Sequence, residues 1–581
     1  MNVNMIKLAK KYLVWWAVLA AVLFMVVQVS SDLYLPTVTS NLIDKGVAQN
    51  DIHYIWTQGL KMLGVAFIGV LAAGGNIFFA ATQSQKMGKK IRSALYRKII
   101  YLADQDLDKF GDASLITRNT NDVVQIQNVM IQVLRMMVMA PIMLVGAMVL
   151  AFVKSPHLTV VFLCALGVLL VSVFVIMSFA GPLFKKLQGQ TDKLNLVFRE
   201  GLTGVRVIRA FNRDQYEQDR FDKYNNKYAK TGIKVFMLTS LMFPLMTLIL
   251  SATNVGIVWF GAKMISTNSL AVGNLVSFMT YATQILISFM MLSMLFVFIP
   301  RAQASASRIN EVLDVEDSIV DSKNPVEPKS NVASLSFDHV NFKYGDSTKL
   351  ALEDVNFSAK AGQTVAIIGE TGSGKSSLVN LIPRLYDVSG GEIKIDDTPI
   401  KDMSQKELHK LISITQQKAV LFTGTVRENM MYGNENATDD EVWHALEIAK
   451  ADDFVKEEGG LDARVEQNGD NFSGGQKQRL AIARTILKNA DIYVFDDSFS
   501  ALDFKTDAEL RQALNKDEKI QNAVTVIVAQ RISTVADADV ILVLNNGKVV
   551  GSGTHAELSK DNPYYRAILD SQIKKGDDDR A

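Results

Sequence analysis

The sequence predicts a two-domain chain: an all-α, six-helix polytopic membrane domain followed by an α/β P-loop domain. Three observations predict it. Six apolar runs, each long enough to cross a bilayer, fill roughly the first 300 residues. A polar, proline-bearing stretch follows. Beyond it, a β-branched apolar run leads into a glycine-rich loop and then a helical pattern. At 581 residues the chain also exceeds what one hydrophobic core can serve.

The spans read, in order, Tyr12 to Leu35, Leu60 to Thr82, Val133 to Val153, Leu158 to Phe179, Val235 to Phe260 and Leu275 to Ile299. Lys7, Lys10 and Lys11 precede the first, as in a secretory signal, but no small-residue cleavage site is clear and further spans follow. It is therefore read as a retained membrane helix. Spans three and four are joined by a very short turn around Ser155 and Pro156. The connection between spans two and three carries Lys86, Lys89, Lys90, Arg92, Arg97 and Lys98. That between spans four and five carries Lys185, Lys186, Arg206, Arg209 and Arg213. The basic bias puts both long connections and both termini in the cytoplasm of a multi-pass plasma-membrane protein.

Both connections are helical in pattern and too polar for lipid, so the spans are expected to continue as helices below the bilayer. They should turn back around Phe110 to Ser114 and around Ala210 to Asp214. Two readings stand open for these turns, a solvated loop or a mechanical contact with the soluble domain. Inside the spans, Arg135, Asn254 and Gln284 are polar. Such groups face cavities, although Arg135 also suits a cytoplasmic helix extension. Met136, Met137, Met139 and Met143 fit an adaptable apolar surface or lipid-facing packing equally.

Composition excludes some classes. With 61 Lys and Arg against 60 Asp and Glu, the net charge of +1 gives no basic face for nucleic acid. The single cysteine, Cys164, excludes an intrachain disulfide and a cysteine-based zinc site; it is expected to be a buried small apolar residue. Asn310 to Asn331 is polar with two prolines and no sustained apolar period. The expected division is a membrane domain over 1–310, a linker over 311–332, a soluble domain over 333–575 and a charged tail over 576–581.

The soluble domain opens with strand-like alternation at Ser334 to Phe342. Thr364 to Ile368 is then an apolar β-branched run ending in G-x-x-x-x-G-K-S, and a helical pattern follows from Ser377. Strand before and helix after is the context that makes this motif a phosphate cradle. Its residues are Gly369, Glu370, Thr371, Gly372, Ser373, Gly374, Lys375, Ser376 and Ser377. The glycines let successive N–H groups point at phosphate oxygens, and the helix start adds its positive end. Lys375 should reach the β- and γ-phosphates of ATP, and Ser376 should coordinate Mg2+. Downstream, Asp491 to Asp497 is an apolar strand ending in acids, where Asp496 is placed to serve the same magnesium.

With Asn471 to Arg479 (NFSGGQKQR) added, the chain resembles the ATP-binding cassette (ABC) family, of the exporter type with the membrane domain N-terminal (the type I exporter, or type IV, fold). The resemblance covers all six spans and the whole soluble domain. It implies that Ser473, Gly474, Gly475 and Gln476 form the signature motif, with Phe472 where leucine is commonest. It further implies that Gln417 contacts magnesium, that Tyr344 stacks on adenine, and that Ser500 to Asp503 forms the loop crossing the dimer interface. The signature motif of such a chain binds a γ-phosphate held by another subunit, so a chain with one cassette must pair.

Two positions depart from the family. Asp497 stands where the water-polarising glutamate is usual, and Gln530 where a histidine is usual. Both weaken water activation and leave ATP binding intact, so the chain resembles the degenerate-site subunit of bacterial heterodimeric multidrug-type exporters. The expectation is ATP-driven export of an amphipathic or hydrophobic compound, drug-like or lipid, beside a second half-transporter carrying the intact glutamate and histidine. The alternatives are a homodimeric exporter and a non-pumping, ATP-gated regulator or channel.

Overall fold

The computed structural model describes residues 3–328, 334–345 and 347–578; residues 329–333 at the linker's end and 579–581 of the tail lie outside them. The chain forms two compact units, one of Met1–Ile100 with Ala113–Asp314, the other of Tyr101–Asp112 with Val315–Ala581.

Among the described residues, six helical stretches are long and apolar enough to cross a membrane: Trp15–Val47, Ile52–Tyr101, Asp112–Lys154, Pro156–Thr203, Asp214–Ser266 and Val272–Leu292. The last belongs to a helix that continues to Leu313. Several exceed what a bilayer needs. The 50-residue helix Ile52–Tyr101 is about 75 Å long at 1.5 Å per residue, against a hydrocarbon core of about 30 Å. The basic connections are therefore helical continuations of the spans, as their pattern predicts. The tight turn falls at Ser155, whose hydroxyl accepts from Leu158 N at 3.4 Å and caps a helix with Pro156 in its first turn.

Three single turns, Leu42–Val47, Arg118–Asp122 and Val133–Met137, are π-helical. Below the third span, Asp122 is almost fully buried and accepts from Arg308 Nε and Ser305 Oγ, each at 2.8 Å. Arg118 donates to Glu311 at 3.0 Å and to the Arg308 carbonyl. These bonds tie the third and sixth helices together where water could otherwise part them.

Cys164 is exposed on its helix, not buried as expected. It sits on an exposed face of Pro156–Thr203, a helix apolar enough to cross a membrane, so lipid suffices to supply its apolar surroundings. Arg135 is likewise exposed, within the π-turn at the cytoplasmic end of its span.

The second unit contains two principal sheets. One is antiparallel, in the order β2 (Leu352–Lys360), β1 (Ser334–Phe342), β4 (Gly390–Ile395), β5 (Thr398–Pro399). The other runs β12 (Lys548–Gly553), β11 (Val540–Asn545), β3 (Thr364–Gly369), β10 (Val524–Val528), β9 (Ile492–Asp496), β6 (Ile412–Thr415). In it, β11, β3, β10, β9 and β6 are parallel and nearly continuously apolar, as strands covered on both faces must be. A two-stranded ribbon, β7 (Gly424–Thr425) with β8 (Arg464–Val465), completes the set.

The segment Tyr101–Asp112 holds the first reversal, with a short helix at Asp104–Asp108, so the turn begins earlier than the Phe110 to Ser114 expected. Its Asp106 is 1% exposed and accepts from Ser318 N at 3.0 Å and Lys109 Nζ at 2.9 Å. Burial pushes the Asp106 carboxyl up, but those hydrogen bonds outweigh it and hold the group below its ordinary value. The second reversal lies at Phe211–Arg213, where expected, after the short helix Val205–Ala210.

Candidate functional site

The parallel sheet sets the site at the carboxyl ends of its strands, the usual place for a ligand in an open α/β sheet. β3 ends at Gly369 and β9 at Asp496, with β10 between them in register, Val528 opposite both Asp496 and Ile367. The loop after β3 enters the helix Lys375–Leu381. Gly372 (φ +83°) and Gly374 (φ +105°) take left-handed backbone that other residues resist. At Gly369 a Cβ would lie 2.2 Å from the Leu544 carbonyl, so the loop closes only with glycine there.

A cavity of about 420 Å³ opens over this loop. It is lined by Thr371, Gly372, Gly374, Lys375, Ser376 and Ser377 from the loop, and by Tyr344, Gln417, Asp496, Asp497 and Gln530 from elsewhere. Thus eleven residues expected at a nucleotide site converge. Ser473, Gly474, Gly475, Gln476 and Asp503 are not among its lining residues. Ser473 instead caps the helix Gly474–Leu487, accepting from Gln476 N at 3.3 Å while Gln476 bonds back to Ser473 N. Asp503 caps the helix Phe504–Leu514.

Lys375 Nζ donates to the carbonyls of Gly369 and Glu370, both at 2.8 Å, and burial draws its pKa down although Asp497 and Asp496 oppose this. Ser373 is 4% exposed, and its hydroxyl oxygen has no partner among the described residues. An orphaned hydroxyl and a lysine inside a loop of N–H groups suit a phosphate. Ser376 Oγ donates to Asp496 Oδ1 at 3.2 Å. Gln417 spends its amide N–H on Asp497 Oδ2 at 3.3 Å, which leaves its carbonyl oxygen able to ligate a metal ion. Magnesium takes one or two protein oxygens and fills its octahedron with phosphates and water; this set fits it.

Asp496 and Asp497 are 4% and 6% exposed. Burial pushes both carboxyls above their ordinary value; Asp497 is pulled back in part by hydrogen bonds from Gln530 and Gln417. Gln530 Nε2 donates to Asp497 Oδ2 at 2.7 Å, the shorter of the two contacts. Asp497 also has φ +48°, a conformation that costs a non-glycine residue on the order of 1 kcal/mol and collects at functional sites. Tyr344 presents its hydroxyl to Ser377 Oγ at 2.8 Å and packs edge-on against Phe342 and Tyr386.

Sequence reasoning missed several contributors. Lys349, Asn546 and Gly547 also line the cavity. The Asn-Gly pair marks a β11–β12 turn in sequence, but nothing local says that Gly547 N reaches the Ser373 carbonyl at 2.9 Å. Gln572, on the C-terminal helix Pro563–Asp578, donates to the Gln530 carbonyl at 2.8 Å and accepts from Ile532 N at 2.9 Å, fixing the loop that carries Gln530.

Comparison with known proteins agrees with this geometry. Residues 18–289 match the family model described as the ABC transporter transmembrane region, and residues 352–500 that described as ABC transporter. An uncharacterised ABC transporter ATP-binding protein of Mycobacterium tuberculosis is 40% identical over 560 residues, covering 95% of this chain and 96% of that protein. A multidrug resistance ABC transporter ATP-binding and permease protein of Lactococcus lactis is 29% identical over 490 residues, 84% of this chain and 82% of that one. The solved structure of a bacterial Atm1-family ABC exporter with ATP bound superposes with TM-score 0.79 at 25% identity, covering 96% of this chain and 98% of that one. With the six spans and the P-loop cassette in one polypeptide, the chain belongs to the ABC transporter family and is an ABC exporter, a multi-pass plasma-membrane protein with a cytoplasmic cassette.

Proposed function

We propose that this chain is the degenerate-site subunit of a heterodimeric exporter that moves amphipathic or hydrophobic compounds across the membrane. One observation carries the proposal: the only carboxylate at the water-activating position is Asp497, and Gln530 and Gln417 both donate to its Oδ2, at 2.7 and 3.3 Å. A general base must reach the proton it removes. Aspartate is one methylene shorter than glutamate, and a misplacement of about 1 Å costs on the order of 100-fold in rate. Gln530 can hydrogen-bond a γ-phosphate but cannot become cationic or exchange a proton near neutral pH.

The binding parts are complete. The loop amides, Lys375 and the Ser373 hydroxyl would bind the phosphates, and Tyr344 would offer a ring edge beside them. Ser376, Asp496 and Gln417 would hold magnesium; when bound, it would neutralise charge between the β- and γ-phosphates. Ser473 and the amides of the following turn would serve the partner's γ-phosphate, so the partner's site is completed by this chain while this chain's own site holds ATP and cleaves it slowly. ATP binding would close the two cassettes, the reversals near Tyr101–Asp112 and Phe211–Arg213 would pass that closure to the spans, and hydrolysis at the partner's site would reset the dimer.

The test is restoration. In the assembled dimer, with the partner's own catalytic glutamate replaced, Asp497→Glu with Gln530→His in this chain should raise ATP turnover on the order of 100-fold. A homodimeric exporter is the second reading, favoured because Asp497 still faces the nucleotide cavity. It predicts brisk turnover by the unaltered chain and little gain from the double substitution.

A further inference from the structure

Between the first, third and sixth membrane helices lies a cavity of about 360 Å³ with an unusual inventory of polar groups. Asp32, in the helix Trp15–Asn41, lines it, and among the described residues its carboxylate has neither a hydrogen-bond partner nor an ion pair. Gln284 lines it too. Its amide N–H is committed to the Asp32 backbone carbonyl at 3.1 Å, which fixes the amide's orientation and leaves Gln284 Oε1 buried without a partner among the described residues.

The three hydroxyls on the wall have likewise given away their protons. Thr39 Oγ1 donates to the Leu35 carbonyl at 3.0 Å, Thr280 Oγ1 to Val276 at 3.2 Å and Ser288 Oγ to Gln284 at 2.7 Å. Met139, Met143 and Met291, with Leu35, Pro36 and Ile287, supply the rest of the wall, and a thioether sulfur is at most a weak acceptor. No lysine or arginine lines the cavity. Among the described residues, every polar atom offered to an occupant is therefore an acceptor, one of them a carboxylate. An ionisable group inside a membrane segment persists where it faces a cavity or a counter-charge; here the described residues lining the cavity include no counter-charge.

We propose that this cavity binds the positively charged head of the exported compound, and that the substrates are amphipathic organic cations carrying N–H donors. Asp32 and Gln284 Oε1 take the head, while the polarisable methionine wall accepts aromatic bodies of varied shape. The inference rests on the export reading above, whose substrate class it specifies.

The test is equilibrium binding by the full-length protein in phosphatidylcholine nanodiscs, without nucleotide. The probes are ethidium, a planar cation with amino donors, and 1-anilinonaphthalene-8-sulfonate, an anionic aromatic. Ethidium should saturate, Asp32→Asn should weaken it about tenfold or more, equivalent to about 1.4 kcal/mol, and Asp32→Glu should retain most of the affinity. Asp32→Asn is nearly isosteric, and an unchanged melting temperature with unchanged nucleotide binding certifies its fold. Gln284→Leu, which leaves the carboxylate, should weaken ethidium by a smaller factor. Equal ethidium affinity in wild type and Asp32→Asn, or equal affinity of the wild type for both probes, overturns the proposal. Because no nucleotide is present, those results leave the ATP-driven export reading standing. Conversely, ethidium that binds through Asp32 but is never moved by the assembled dimer would count against export while keeping this site.

Discussion

At the scale of single residues, the nucleotide cavity places two buried carboxylates side by side, which is costly. Asp496 and Asp497 both have raised pKa values, chiefly through burial. A carboxyl whose folded-state pKa lies above its unfolded value favours folding while protonated. That contribution is complete below the ordinary value of 3.8 and is lost as pH rises through the folded-state value. Asp496→Asn should therefore raise the melting temperature of the nucleotide-free protein at neutral pH by a few degrees, since each kcal/mol moves a domain of this size by about 2–4 °C. The gain over wild type should shrink near pH 4, and the same variant should lose magnesium-dependent ATP binding. Thermal melts at several pH values check this; a gain independent of pH would place its origin elsewhere. The glycine–lysine loop was legible because its chemistry is local: fixed spacing between a strand and a helix. Tyr344 was named as an adenine platform, and its hydroxyl bond to Ser377 was invisible in the sequence. So was Gln572, which acts on residue 530 from 42 positions away.

At the scale of elements, long polar extensions need fastening once they leave the bilayer, and the third and sixth helices are fastened through Asp122. Its carboxylate is 6% exposed, whereas its partner Arg308 is 45% exposed, so full buried-pair values do not apply. Asp122→Ala should cost roughly 1–3 kcal/mol by leaving Ser305 and Arg308 without their acceptor, read as an earlier melting transition; an unchanged transition would remove this fastening from the account. The reversal at Tyr101–Asp112 invites a second test. Asp106→Ala takes the acceptor away from Ser318 N, and we expect ATP affinity to be retained while transport by the assembled dimer falls severalfold. Loss of both together would mean that Asp106 supports folding rather than transmission.

The helical extensions themselves were legible, since a long basic connection with helical period has few other folds available. The π-turns were not: a single wide turn shifts the hydrophobic period by one residue, too little to separate from ordinary scatter in Arg118–Asp122 or Val133–Met137. The bond between Asp106 and Ser318 spans 212 positions and has no local signature. Cys164 failed for a different reason. Apolar surroundings were inferred correctly for that stretch, but in a membrane helix they come from lipid as readily as from packing.

At the scale of the whole molecule, one cassette and six spans make half of a working exporter. ABC exporters act as dimers, and the helix capped by Ser473, which contributes no residue to the lining of this chain's own nucleotide cavity, is the one proposed to serve a partner. The division of labour proposed here makes the two nucleotide sites of the dimer unequal: one holds, the other turns over. The membrane cavity around Asp32 adds a second asymmetry, of charge, which would select what enters.

The most direct measurement is the fate of one bound nucleotide. The dimer of this chain with its partner, the partner's own catalytic glutamate replaced, is loaded in lipid and magnesium with ATP radiolabelled at the γ-phosphate, separated from free nucleotide and quenched at intervals. The account predicts that the label is recovered as intact ATP over many minutes, and that Asp497→Glu with Gln530→His releases it as phosphate far sooner. Prompt conversion to ADP in the unaltered chain would contradict it.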